Sequence, residues 1–304
     1  MALAAAPFWE ADALQQAAIA ARAAYRQQRL EEPPELYGDE FEEALQAVAE
    51  LLEQTTDLEN LRDEIPNLLH SKRLRRALCY LTGPPTSDDD LKVIADVKLT
   101  RTFFKDDPDK YEVVADTIST LLDRKRFPWA ADGRDPEPQE VELARVATAA
   151  LIAHQSVQAH RRNEARQLEQ RTAAVLEAHG FERVDKRKIT AAGHWPAAGE
   201  FCGECSVAGR QADLVVTLKD SRYMPIECKV SGSEVNSIKR LNNDALAKFA
   251  DWRNHFGAAQ TLPVAVLEGV FSFDRLTAAQ GAGASLIWGH DLDSLGDFLD
   301  QAVA

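Results

Sequence analysis

Long apolar runs are missing from this 304-residue chain. No stretch approaches the ~20 apolar residues that a membrane span needs, so a membrane partner is not expected. The N-terminal Met1–Pro7 is apolar but short. Trp9-Glu10-Ala11-Asp12 interrupts it and no basic region precedes it, which argues against a secretory leader. Cysteine is also scarce. Cys79, Cys202, Cys205 and Cys228 are too few and too scattered for a disulfide scaffold, so reduced thiols in the cytoplasm are expected. A Gly-rich phosphate loop of the Walker or Rossmann kind is absent, which removes the expectation of a nucleotide cofactor. His290-Asp291 has no Ser or Cys nucleophile elbow to serve.

Positive charge is in short supply too. The net charge of -14 argues, taken whole, against a nucleic-acid partner. Its distribution softens that objection. Residues 1–150 carry 18 basic and 30 acidic side chains, whereas residues 151–304 carry 17 and 19. Without the tail after residue 270, the second half holds 16 basic against 14 acidic groups. Net charge governs steering and solubility rather than fold, so a local basic cleft remains compatible with it.

The chain is long enough for one large or two modest domains. Residues 1–150 read as mostly helical: Ala11 to Tyr25 is Ala-rich, and Phe41, Ala44, Leu45, Val48, Leu51 and Leu52 recur at helical spacing. Thr86-Ser87-Asp88-Asp89-Asp90 offers an N-cap and an acidic first turn for a helix through Leu91 to Val97. A Pro-, Gly- and Asp-rich loop spans Phe127 to Pro138, and a soft boundary is expected near residue 150. Val141 to about Ala178 is again helical, with Gly180 the natural residue just past its end.

The texture then changes to short β-rich runs at Phe201–Val207, Ala212–Leu218 and Tyr223–Val230. Lys219-Asp220-Ser221-Arg222 joins the last two and is short enough for a hairpin. A helical stretch (Glu234 to Phe256), an apolar strand (Leu262 to Val270) and a further strand (Ser285 to Trp288) follow. This order predicts an α/β domain over 151–304 with a mixed sheet.

Asp213 and, fourteen positions later, Glu227-Cys228-Lys229 carry the chemistry. Alternate residues of a strand share a face, so Glu227 and Lys229 project together while Ile226, Cys228 and Val230 enter the core. A hairpin brings Asp213 back toward Glu227, because nearly equal numbers of residues separate each from the turn. Two carboxylates and an ammonium would then converge. Hard oxygen donors on neighbouring strands suit Mg²⁺ and leave positions open for water and a phosphate oxygen. Lys229 can orient the nucleophile or stabilise the transition state, and the backbone carbonyl of Cys228 is a candidate further ligand. A Glu-x-Lys on a strand is, however, more often a solvent-facing ion pair.

The pattern Asp213…Glu227-Cys228-Lys229 resembles the PD-(D/E)XK nuclease superfamily, with Ala212-Asp213 in place of the literal Pro-Asp. The run Ile226-Glu-Cys-Lys-Val-Ser-Gly-Ser-Glu-Val-Asn-Ser-Ile-Lys-Arg-Leu-Asn242 is more specific, and it is similar to XamI-type type II restriction endonucleases. Gly199-Glu-Phe-Cys202, Ala265-Val-Leu-Glu-Gly-Val-Phe271 and Trp288-Gly-His-Asp-Leu292 extend the likeness. The resemblance implies a mixed-sheet PD-(D/E)XK core and Mg²⁺-dependent, site-specific cleavage of double-stranded DNA by a homodimer acting on a palindrome. It makes Asp213 and Glu227 metal ligands and Lys229 the catalytic lysine. Glu204 becomes a candidate additional ligand, with a half-exposed strand residue as the equal alternative. The helical region would wrap DNA or form the dimer interface.

Asn236, Ser237, Lys239, Arg240 and Asn242 crowd the start of the helix after the active strand. Such amides, hydroxyls and cations can bind phosphates, and Asn can read adenine edges. Cys202-Gly-Glu-Cys205 has zinc-knuckle spacing, but a tetrahedral site needs two more ligands, so strand-core cysteines are the preferred reading. Two alternatives stay open: a less specific repair or defence nuclease, and a non-enzymatic DNA-binding protein on the same fold.

Overall fold

The computed structural model describes residues 4–234, 237, 241 and 245–302. Two compact units emerge, one of residues 31–161 and one of residues 1–30 with 162–304. The boundary expected near residue 150 lies inside a helix (Pro138–Arg162).

The 31–161 unit is built from helices: the second part of α1 (Ala11–Gln54), α2 (Leu61–His70), α3 (Lys72–Cys79), α4 (Asp88–Ile94), α5 (Arg101–Asp106), α6 (Lys110–Leu121), α7 (Pro128–Asp132) and α8 (Pro138–Arg162). Its core gathers Leu51, Ile65, Leu68, Leu78, Phe104, Phe127 and Trp129, all essentially inaccessible. Fully burying one such side chain is worth about 1.5–3 kcal/mol. The expected cap is present. Ser87 accepts from Asp90 N–H while the Asp90 carboxylate accepts from Ser87 N–H, which closes a capping box and starts α4 at Asp88 with the expected acidic first turn; the helix ends at Ile94, short of Val97.

The other unit carries the sheets. α9 (Glu164–Ala178) follows α8 after a break at Asn163, so the helical stretch expected from Val141 to Ala178 is two helices. Gly180 closes α9 at φ +78, where a side chain would be strained, and Phe181 N–H bonds back to the Leu176 carbonyl at 3.0 Å. Strands β1 (Glu182–Val184), β2 (Lys188–Ile189), β3 (Glu200–Cys202), β4 (Cys205–Val207), β5 (Arg210–Ala212), β6 (Leu214–Thr217) and β7 (Tyr223–Ser231) come next. α10 (Ala247–Phe256), β8 (Val264–Gly269), α11 (Phe273–Gly281), β9 (Ser285–Trp288) and α12 (Asp293–Gln301) complete the order.

The main sheet is mixed, as expected, with strand order β1-β3-β6-β7-β8-β9. β6 and β7 form an antiparallel hairpin. β7, β8 and β9 run parallel, joined by α10 and α11, which is what parallel neighbours require. A smaller sheet has the order β2-β4-β5. The runs at 201–207 and 212–218 are each divided between the two sheets, at Gly203-Glu204 and at Asp213 respectively.

One face of the central strands packs Val215, Ala265, Leu267, Leu286 and Trp288 with Phe249 and Trp252 of α10. The opposite face packs Ile226, Cys228, Val230, Val264 and Val266 with Leu168 and Leu176 of α9. The first residues belong here because Trp9 is fastened to this unit. Its indole N–H donates to the Leu286 carbonyl at 2.8 Å, and Gln280 pairs with both of its backbone polar groups at 2.9 Å.

Candidate active site

The β6–β7 register, Leu214 with Ile226 through Thr217 with Tyr223, places Asp213 opposite Glu227. The hairpin turns at Lys219–Arg222, where Ser221 adopts φ +68 and Leu218 N–H bonds to the Arg222 carbonyl at 2.8 Å. Inside that turn Asp220 and Arg222 form a buried ion pair at 2.7 Å. Asp213 itself lies where the strand leaves one sheet for the other. Its N–H still donates to the Ile226 carbonyl at 3.0 Å, and its side chain, free of the ladder, accepts the Cys228 N–H at 2.7 Å.

Glu227 is completely buried, on the face it shares with Lys229. The Lys229 Nζ lies 2.6 Å from Glu227 and 3.3 Å from Asp213, so one ammonium bridges both carboxylates. A second ammonium joins from α10: Lys248 Nζ lies 2.8 and 2.9 Å from the two Glu227 oxygens. Burial pushes the Glu227 carboxyl above its ordinary range and the charge of Asp213 adds to that, against the pull of the two lysines. Burial alone would lower the pKa of Lys229, but the charges of Asp213 and Glu227 outweigh it and hold its proton more tightly than usual.

Glu169 on α9 belongs to the same electrostatic neighbourhood. Burial raises its pKa, and the negative charges of Asp213 and Glu204 raise it further, against Lys229 and Arg166. Glu204 falls opposite Asp213 if the common register of β3–β6 and β4–β5 is carried through the interruption. Its side chain is exposed, with Lys186 3.8 Å away. Ser237 is fully buried and its hydroxyl donates to the Glu234 carbonyl at 2.6 Å, so it holds its own turn instead of presenting a donor outward. Asn236, Lys239, Arg240 and Asn242 lie outside the described residues.

A family profile described as XamI restriction endonuclease matches residues 59–288. The chain belongs to this family. Asp213, Glu227, Lys229 and Lys248 all fall within the match. The Type II restriction enzyme XamI of Xanthomonas campestris pv. amaranthicola is 37% identical over 261 residues, which is 84% of this chain and 95% of that protein. Among solved structures, protein VC1899 from Vibrio cholerae aligns with 86% of this chain at 13% identity and a TM-score of 0.31. The chain spans 57% of that structure's length.

For a XamI-family chain the donor set suits a small divalent cation. Asp213 and Glu227 offer hard carboxylate oxygens, and they already converge on one cationic group, the Lys229 ammonium. Among the described residues no three His, Cys, Asp or Glu side chains group as a metal site, and a backbone oxygen would extend the carboxylate pair. Cys228 could supply one. In antiparallel pairing a residue's N–H and C=O face the same neighbour, and the Cys228 N–H is turned toward Asp213. Its thiol is buried on the other face, 3.8 Å from Thr172 Oγ1, and burial raises its pKa far above a reactive range.

Cys202 and Cys205 are both buried with their sulfurs 2.9 Å apart, and burial pushes the Cys202 thiol up to about 12. Protonated, buried thiols are poor nucleophiles and poor ligands.

Sequence reading missed two residues, Lys248 and Glu169. Lys248 sits 19 positions beyond Lys229, in a helix with several other polar residues, and spacing alone does not single it out. Glu169 is one of many acidic residues on surface helices. Only the packing of α9 against β7 distinguishes it.

Proposed function

We propose that Asp213, Glu227 and Lys229 are the catalytic group of a PD-(D/E)XK-type centre that hydrolyses double-stranded DNA phosphodiesters with Mg²⁺. Membership in the XamI restriction endonuclease family makes the chain a site-specific type II restriction endonuclease. The observation that carries the catalytic reading is the convergence of two carboxylates and an ammonium at the point where the hairpin switches sheets.

Asp213, Glu227 and the Cys228 carbonyl would hold the ion, with Glu204 a further candidate. A bound Mg²⁺ supplies a water of lowered pKa and neutralises charge developing on the phosphate. The protein's own groups do the rest. The Cys228 N–H fixes the Asp213 carboxylate in one orientation. Lys229, anchored by both carboxylates, keeps its proton and presents a point charge where the attacking oxygen and the phosphate meet. Glu227, a central-strand residue with no exposed surface, is shielded from bulk water.

Asn236, Lys239, Arg240 and Asn242 would contact DNA, the amides reading bases and the cations neutralising phosphates. The enzyme would act in the cytoplasm as a homodimer on a palindrome, without a nucleotide cofactor. In this reading the nuclease domain is the unit that holds residues 162–304 together with residues 1–30, and the helical unit of residues 31–161 wraps DNA or forms the dimer interface.

The test is incubation of the purified protein with unmethylated phage DNA, with Mg²⁺ or with EDTA. Discrete fragments only with Mg²⁺ are expected. Lys229→Ala should lose at least about 10²–10³-fold in single-turnover rate, the usual cost of removing one preorganised electrostatic group. Its specific DNA binding in Ca²⁺ should persist. A smear of products would replace site specificity with a looser nuclease, and a Lys229→Ala variant that cuts at the wild-type rate would remove the site assignment.

A further inference from the structure

Glu227 is served twice. Its Oε2 already lies 2.6 Å from Lys229, which is enough to balance one carboxylate, yet Lys248 reaches both oxygens at 2.8 and 2.9 Å. No side chain other than Lys248 is found on Oε1 among the described hydrogen bonds and ion pairs. A cation placed symmetrically on both oxygens of a carboxylate occupies the position of a metal ion that the carboxylate would bind bidentately.

We propose that Lys248 is a positioning residue that holds Glu227 in its ligand pose until a divalent cation displaces it. Metal uptake and release of the Lys248 ammonium are then a single exchange. The inference rests on Asp213 and Glu227 being the metal ligands.

Three features support the exchange. Lys248 comes from α10, an element separate from the strands that carry the other charges, so it can leave without disturbing them. Phe249 and Trp252 on the same helix are buried at 1% and 0% exposure, which anchors the helix while the lysine stem turns. The Lys248 side chain is 20% exposed, so it has a path outward, whereas Glu227 at 0% has none.

The charge balance points the same way. Within the ion-pair cluster itself, Asp213 and Glu227 are matched by Lys229 and Lys248. Once a divalent ion takes the place of Lys248, the cluster carries one more positive charge than before, which favours the approach of a phosphodiester. Without Lys248, a fully buried carboxylate would share one ammonium with Asp213, and its pose would depend on the metal being present already.

The experiment is a titration of the full-length, DNA-free protein with Mn²⁺ alone, followed by loss of the free-ion EPR signal and by thermal melts. Lys248→Met should unfold at a lower temperature than wild type without metal. It should also bind Mn²⁺ about tenfold more tightly or better, because a competing charge a few ångströms away has gone. Lys248→Arg, which keeps the competitor, should bind as wild type does. A Lys248→Met affinity equal to or weaker than wild type overturns the proposal. If Lys248→Met does not fold, Lys248→Gln, which retains a neutral donor toward Glu227, is read in the same way. Asp213→Asn separates the two levels of the argument. If it binds Mn²⁺ as well as wild type, the ligand assignment itself fails, whatever Lys248 does.

Discussion

The two compact units treat charge in opposite ways. In the helical unit, every polar side chain among the described residues that is fully buried belongs to a threonine: Thr55, Thr82 and Thr148. Thr55 and Thr82 donate to nearby backbone carbonyls, and Thr148 accepts from Arg126. The sheet unit buries Glu164, Arg222 and Glu227. Taking a charge out of water is expensive unless it is paired, and it is not a route to greater stability. The helical unit therefore looks like a structure optimised for folding. The sheet unit accepts the cost in three places, at Glu164 paired with Arg29, at the hairpin turn and at the site, and only the last has chemistry to offset it.

The sharpest way to break this comparison is to remove one half of the turn pair. Asp220→Ala leaves the Arg222 guanidinium, whose side chain is 9% exposed, without its partner, and should cost on the order of 3 kcal/mol. The double variant Asp220→Leu/Arg222→Met should recover most of it, since apolar replacements of a buried pair are often neutral. Cleavage per folded molecule should be unchanged in both, because the pair lies at the far end of the hairpin from Asp213. Chemical denaturation of the three proteins decides this. A single variant as stable as wild type would mean that water reaches the turn and that the buried charge costs little.

A smaller effect is expected in the helical unit. Arg126 has the least exposed side chain of any ion-paired residue there, at 12%, and it donates to the Tyr80 and Thr82 carbonyls, to Thr148 and to Asp123, at 2.7–2.9 Å. Arg126→Leu leaves these acceptors without their donor. At roughly 1 kcal/mol for each hydrogen bond lost, partly restored by water, the loss should be about 2 kcal/mol. A loss larger than that of Asp220→Ala would show that this unit also leans on charge, and the contrast would fail.

How much of this was legible beforehand depended on how far apart in the chain the interacting residues lie. The hairpin, the capping box at Ser87 and the helix end at Gly180 are set by residues within a few positions of one another, and turn and cap chemistry announces them. Asp213 and Glu227 were predictable as partners because strand alternation and hairpin symmetry need only local counting. The division of the strands between two sheets was not predictable. Gly203 marks a break in its strand but not which sheet each half joins, Asp213 carries no such signal, and the switch is imposed by which neighbours each half finds. Lys248 and Glu169 reach the site from helices on opposite faces, and the membership of residues 1–30 in the sheet unit hangs on Trp9, more than 270 positions from Gln280 and Leu286. Long-range packing of that kind leaves no periodic trace.

The mildest test bears on the unit that tolerates buried charge. Burial, then Asp213 and Glu204, raise the pKa of Glu169, so the folded protein holds this proton more tightly than the unfolded chain does. The sign follows from linkage: the carboxyl costs nothing while it is protonated in both states, and its ionisation opposes folding increasingly as pH rises through the elevated folded value. Glu169→Gln should therefore raise the melting temperature at about pH 8 and leave it near wild type at about pH 4, just below the ordinary glutamate value. The gain should be small, since Glu169 is only half-buried and solvent screens it. A divalent ion held by Asp213 and Glu227 would relieve the same repulsion, so the advantage of Glu169→Gln should shrink when Ca²⁺ is added. An equal gain at both pH values would assign the effect to packing, and a gain indifferent to Ca²⁺ would detach Glu169 from the carboxylate pair.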